Sequence, residues 1–139
     1  EDQIGTLRVN VTAAGAVAKQ GDAAINIHSV EANQNSEIFY GGLVSGSSLK
    51  SATFATETTA VFGSLSRDEL VQQVQAVDSS LTTVNDGNTI AETMVSTDKK
   101  VVSAAYAMGM SAGQSMEATF NNAVTTETKW KAPLNIVVA

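Results

Sequence analysis

Hydrophobic and polar positions alternate cleanly in the segment Thr6-Leu7-Arg8-Val9-Asn10-Val11-Thr12. Leu7, Val9 and Val11 share one side of an extended chain, which predicts a half-buried strand. The next twelve residues, Ala13 to Ala24, are small and interrupted by Gly15 and Gly21, and they predict a turn-rich passage. Alternation resumes at Ala24-Ile25-Asn26-Ile27-His28-Ser29-Val30, a second strand. Residues Glu31 to Ser36 are polar and turn-prone, and Ile38-Phe39-Tyr40 ends on Gly41-Gly42. Leu43 to Phe62 shows no sustained period and predicts loop and short strand.

A helix is announced at Ser66-Arg67-Asp68-Glu69. The Ser66 hydroxyl can accept from the Glu69 amide while the Glu69 carboxylate reaches back, and both acids suit the positive end of a helix. Leu70, Val74, Val77 and Leu81 then recur on one helical face, so a helical insertion is expected near residues 66–81, with its core from Arg67 to Ser79. Asn85-Asp86-Gly87-Asn88 predicts a turn. Three strands are expected after it. Val102, Ala104, Tyr106, Met108 and Met110 share one face, Met116, Ala118 and Phe120 another, and Leu134, Ile136 and Val138 a third, beyond the sole proline, Pro133. The pattern is mostly β, most simply a sandwich with one short helix inserted.

Composition narrows the chemistry. The 139 residues fit a single domain, 1–139, and only 16% are charged, with a net charge of -6. Lys and Arg are adjacent only at Lys99-Lys100, so no basic stripe exists to track phosphates, and no nucleic acid partner is expected. The absence of cysteine removes disulfides, zinc thiolate sites and a thiol nucleophile. No apolar stretch approaches the roughly 18 residues of a membrane span, so a soluble chain is expected, any signal peptide already removed.

Enzymatic chemistry lacks its groups. His28 is the only histidine, and Asp68 and Glu69 are explained by the helix cap. No acidic calcium loop or phosphate-cradling glycine loop is present, so no catalytic residue, metal or cofactor is expected. Asn10-Val11-Thr12 fits a glycosylation acceptor but lies inside a predicted strand, where a chance match is the better reading. Trp130, between Lys129 and Lys131, has two readings: a platform for stacking a sugar ring, or, with more weight, an aromatic covering the sandwich edge.

Five collinear segments carry a resemblance: Ile38-Phe39-Tyr40-Gly41-Gly42, Phe62-Gly63-Ser64-Leu65-Ser66-Arg67, Val101-Val102-Ser103-Ala104-Ala105-Tyr106-Ala107, Glu117-Ala118-Thr119-Phe120-Asn121 and Ala132-Pro133-Leu134-Asn135. Together they resemble the FaeG/ClpG class of chaperone–usher fimbrial major subunits, either the C-terminal half of one or a shortened member. The resemblance implies an immunoglobulin-like pilin sandwich, incomplete by one strand, assembled by donor-strand complementation. It implies as partners neighbouring pilin subunits, a periplasmic chaperone and an outer-membrane usher, and as location an extracellular fimbrium reached through the periplasm. Leu134, Ile136 and Val138 would border the donor-strand groove. Some members are lectins that attach to host cells, so host glycans are a further expected partner. Glu31, Asn33 and Ser36 of the polar loop, with Trp130, are the candidate carbohydrate-binding residues.

Overall fold

The predicted alternations become strands wherever one side of the chain meets a core. A computed structural model describes residues 3–30, 51–87 and 99–133. In chain order its elements are β1 (Gly5–Val9), β2 (Thr12–Gln20), β3 (Ile25–Val30), α1 (Ala52–Val61), α2 (Arg67–Gln75), β4 (Val84–Asp86), β5 (Val102–Gly109) and β6 (Met116–Phe120). Among the described residues the fold is mostly β, with two sheets and two short helices. Two compact units divide it: Thr12–Gly109 forms one, and the residues before and after form the other.

The Thr12–Gly109 unit holds a four-stranded sheet in the order β4-β3-β2-β5. Strand β2 pairs antiparallel with β3 and with β5, and β3 pairs parallel with β4. One face carries Ala14, Ala16 and Ala18 of β2, Ile25 and Ile27 of β3 and Ala105 of β5, which join one hydrophobic core with Ala52 and Ala55 of α1 and Leu70, Val71 and Val74 of α2. Small side chains make that face shallow, so helices can approach it closely.

Two expectations are corrected here. Ala13 to Ala24 is not turn-rich; all but its end is the central strand β2, and the turn is confined to the β2–β3 connection, where the Gly21 amide donates to the Ala24 carbonyl at 2.8 Å. Residues 14–18 are buried without interruption, because Ala14, Ala16 and Ala18 face the helices while Val17 lies between its cross-strand neighbours His28 and Ala104. Burial on both faces erases the alternation that marks a strand. The second correction is α1, which occupies a stretch expected to be loop and short strand.

Helix α1 is built from alanine and threonine. Ser51 caps it, accepting from the Phe54 amide at 3.1 Å. Its buried threonines turn their hydroxyls onto nearby carbonyls: Thr56 donates to Ala52 at 3.1 Å and Thr59 to Leu65 at 2.8 Å. Buried polar groups satisfied in this way need no apolar stripe. Gly63, at φ 81°, ends the helix in the left-handed conformation, with the Ser64 amide donating back to the Thr59 carbonyl at 2.8 Å.

Helix α2 has the expected capping box: the Ser66 amide donates to Glu69 Oε2 at 2.8 Å, and the Glu69 amide to Ser66 Oγ at 3.4 Å. The helix is shorter than expected. It ends at Gln75, leaving Val77 exposed, because Asp78 turns the chain by accepting from the Ser80 amide at 3.1 Å. Leu81 is buried as expected, but it comes from the following segment, whose carbonyl accepts from Gln75 Nε2 at 2.9 Å. The turn expected at residues 85–88 is corrected in part: Asn85 and Asp86 belong to β4, paired with Asn26 and Ile27. On β5 the expected apolar set is not the core face. Ser103, Ala105 and Ala107 are buried, whereas Met108 is exposed.

Candidate functional site

The unit formed by the chain ends contains the two-stranded antiparallel ribbon of β1 and β6, with Leu7 opposite Ala118 and Gly5 opposite Phe120. Leu7 and Val9 are half-buried and alternate with exposed Thr6 and Arg8, as the sequence predicts, while Val11 is exposed beyond the strand end. Backbone bonds extend the pairing at both ends, from the Asn121 amide to the Ile4 carbonyl at 2.9 Å and from the Asn10 amide to the Ser115 carbonyl at 3.3 Å. Asn10 Nδ2 also donates to the Ser115 carbonyl at 3.1 Å, so this side chain serves the ribbon.

Trp130 stands edge-on to Phe120, ring centroids 6.2 Å apart and planes at 77°. This is the favoured T-shaped arrangement, and it favours this orientation of the indole. An open concavity is lined by Ile4, Leu7, Phe120, Trp130, Lys129 and Lys131, among others. Trp130 remains 46% exposed, so a large part of its ring surface faces solvent. An exposed aromatic ring in a concavity that two lysines also line can stack a pyranose or an apolar side chain. Of the candidate carbohydrate-binding residues only Trp130 is described. Glu31, Asn33 and Ser36 lie outside the described residues, as do the groove-edge candidates Leu134, Ile136 and Val138.

Glu69 and Asp78 serve the local turns of the fold. His28 is half-buried on β3, with Gly87 so close that a methyl group there would stand 2.3 Å from its Cε1 atom. Glu69 is held below the usual carboxylate range, first by the Ser66 amide and then by the Ser66 hydroxyl. Asp78 is likewise lowered, by the hydroxyl and amide of Ser80 and by Gln20. Among the described residues no group of three or more acids and histidines is placed to hold a metal ion.

Residues 1–139 match the family described as Fimbrial, major and minor subunit, Fimbrial_K88. The chain belongs to this K88 fimbrial family. It is similar to Escherichia coli K88 fimbrial protein AC, 43% identical over 139 residues, covering 98% of this chain and 49% of that protein. It is 44% identical to K88 fimbrial protein AB and 42% identical to K88 fimbrial protein AD, both from Escherichia coli and each over 142 residues, with 98% of this chain and 50% of each relative covered. The chain therefore spans about half the length of these K88 relatives. The resemblance carried by the five segments is shown by these matches, and two of those segments contribute to the site: Glu117-Ala118-Thr119-Phe120-Asn121 supplies β6, and Ala132 and Pro133 are among the residues that line the concavity. Sequence reading singled out Trp130 but not Phe120 as its partner. That partner was signalled only by an aromatic ending the alternation of a strand.

Proposed function

We propose that the protein is a non-catalytic structural and adhesive subunit of a bacterial surface fimbria, secreted through the periplasm and assembled by donor-strand complementation. Membership of the K88 fimbrial family over residues 1–139 carries this reading. The β1–β6 ribbon supports it physically. A two-stranded ribbon is marginal in water by itself, and it gains stability when another strand or layer covers it. Strand addition supplies both main-chain hydrogen bonds and pockets for alternate side chains. The alternation of Leu134, Ile136 and Val138 supports these residues as the groove edge, with a periplasmic chaperone as first occupant and a neighbouring subunit, delivered at an outer-membrane usher, as the second. Domain 1–139 then acts as one pilin-like domain or the C-terminal part of one. Electron microscopy of producing cells tests the proposal. Ile136→Asp is expected to abolish filaments while Asn135→Asp leaves them, and filaments of normal number with Ile136→Asp would overturn it.

One observation favours a second reading, a glycan-binding lectin-type adhesin that attaches to host cells. Trp130 is exposed in a concavity with two lysines, and Glu31, Asn33 and Ser36 would complete the site. A glycan array separates the readings: binding that is lost with Trp130→Ala supports the lectin, and an array without signal leaves the structural subunit alone.

A further inference from the structure

Asp86 is followed by Gly87, and this dipeptide has a chemistry of its own. A glycine amide lacks the obstruction of a side chain, so its nitrogen can reach the side-chain carboxyl carbon of the preceding aspartate. The nitrogen loses its proton and bonds to that carbon, the carboxyl group loses a hydroxyl, and one water leaves as a five-membered succinimide closes. Water then reopens the ring at either carbonyl, giving back aspartate or leaving isoaspartate, in which the main chain runs through the side chain and is one methylene longer. No oxidant or co-reactant is needed.

The structure restrains both reacting groups. The Gly87 amide, which must act as nucleophile, donates to the Ile27 carbonyl at 2.7 Å. The Asp86 carboxylate, which must swing toward it, is held through Oδ1 by Arg67, with Nε at 3.2 Å and Nη2 at 3.1 Å. Both restraints depend on one weak feature. Among the described residues strand β4 is three residues long, lies at the sheet edge, and pairs parallel with β3 only from Val84 to Asp86. Short edge strands open locally at far lower cost than the whole fold. When β4 lifts, the amide and the carboxylate are released together, and the Asp86 side chain is already 47% exposed to the water that hydrolyses the ring.

We propose that Asp86–Gly87 is a self-modification site, at which isoaspartate forms by way of a succinimide whenever β4 detaches from β3. The change is one-way for the fold. An extra methylene at Asp86 moves Gly87 out of register with Ile27 and withdraws the carboxylate from Arg67, so β4 and the start of α2 lose their link. The site would then record how long a subunit has spent with that edge open.

The test incubates the purified protein at neutral pH and 37 °C and follows isoaspartate at Asp86 by methyltransferase labelling and peptide mapping. The folded protein is expected to react at least about tenfold more slowly than the same protein in urea, as local opening limits the rate. Arg67→Ala, checked by circular dichroism to be folded, should fall between them. If Arg67→Ala does not fold, Asp86→Asn replaces it: it breaks the same ion pair from the other side, and its loss of ammonia, read by intact mass, should be slower folded than in urea. Equal rates folded and in urea, no isoaspartate at Asp86 in urea, or a folded Arg67→Ala protein as slow as wild type would each overturn the proposal.

Discussion

The two units bury their side chains in different ways. In the Thr12–Gly109 unit, a four-stranded sheet is covered by two helices, and Ala16, Ile25, Ile27, Leu70 and Val74 are wholly withdrawn from water. In the unit made by the chain ends, Met116, Glu117, Ala118 and Thr119 of β6 are exposed, and only Phe120 is half-buried. The first unit has the second layer that a hydrophobic face requires. The described part of the second has a ribbon and an aromatic pair. The same periodicity therefore has different consequences in the two places: it marks a finished core in one and an exposed ribbon in the other.

The sharpest way to break this contrast is a charge in the finished core. Val74→Asp places a carboxylate where no solvent reaches, at a cost on the order of several kcal/mol, and should abolish cooperative unfolding of the Thr12–Gly109 unit. A sigmoidal melt at the wild-type midpoint would show that α2 is not docked on the sheet. Next in size is a matched pair of enlargements. Ala16→Leu overfills the face of β2 beneath the helices and should cost about 1–3 kcal/mol, while Ala118→Leu, on the exposed ribbon, should stay within about 0.5 kcal/mol. Denaturant midpoints that fall equally for both would erase the distinction between the units.

A smaller loss than that at Ala16 comes from the α2 cap. Ser66→Ala should lower stability by about 0.5–2 kcal/mol. Glu69 adds a pH dependence whose sign follows from its lowered pKa. Because the folded group ionises more readily than the unfolded one, its contribution is present above the ordinary glutamate range and fades as pH falls through the folded pKa. Thermal midpoints of the wild type and Glu69→Gln should accordingly differ at neutral pH and converge in acid. A gap that widens in acid would contradict the cap geometry.

How legible each region was follows from the same physics. Strands β1, β3 and β5 were readable because one of their faces is more open than the other, and β6 carries the same alternation although every residue before Phe120 is exposed. The start of α2 was readable because a capping box is a local signal, complete within four residues. Strand β2 was not, since burial on both sides by Ala14, Gly15, Ala16, Val17 and Ala18 leaves no polar alternate to reveal the period. Nor was α1, whose buried side includes Thr56, Thr58 and Thr59, residues that hydropathy counts as polar and that hydrogen bonding makes compatible with the interior. At the candidate site, Trp130 announced itself as an aromatic among lysines. Its orientation by Phe120 depends on a contact across ten residues of chain that no local pattern encodes.

The central position of β2 also sets a timetable. Its β3 side can close as a hairpin across the short turn at residues 21–24, but its other side waits for β5, and even the nearest partners, Lys19 and Val102, are about 80 residues apart, a separation that slows their pairing. Throughout that wait, a strand buried on both faces in the finished fold presents an open row of amides and carbonyls to whatever is nearby. The topology thus gives the folding chain a vulnerable interval, whose length is set by how slowly the distant strand β5 finds its place.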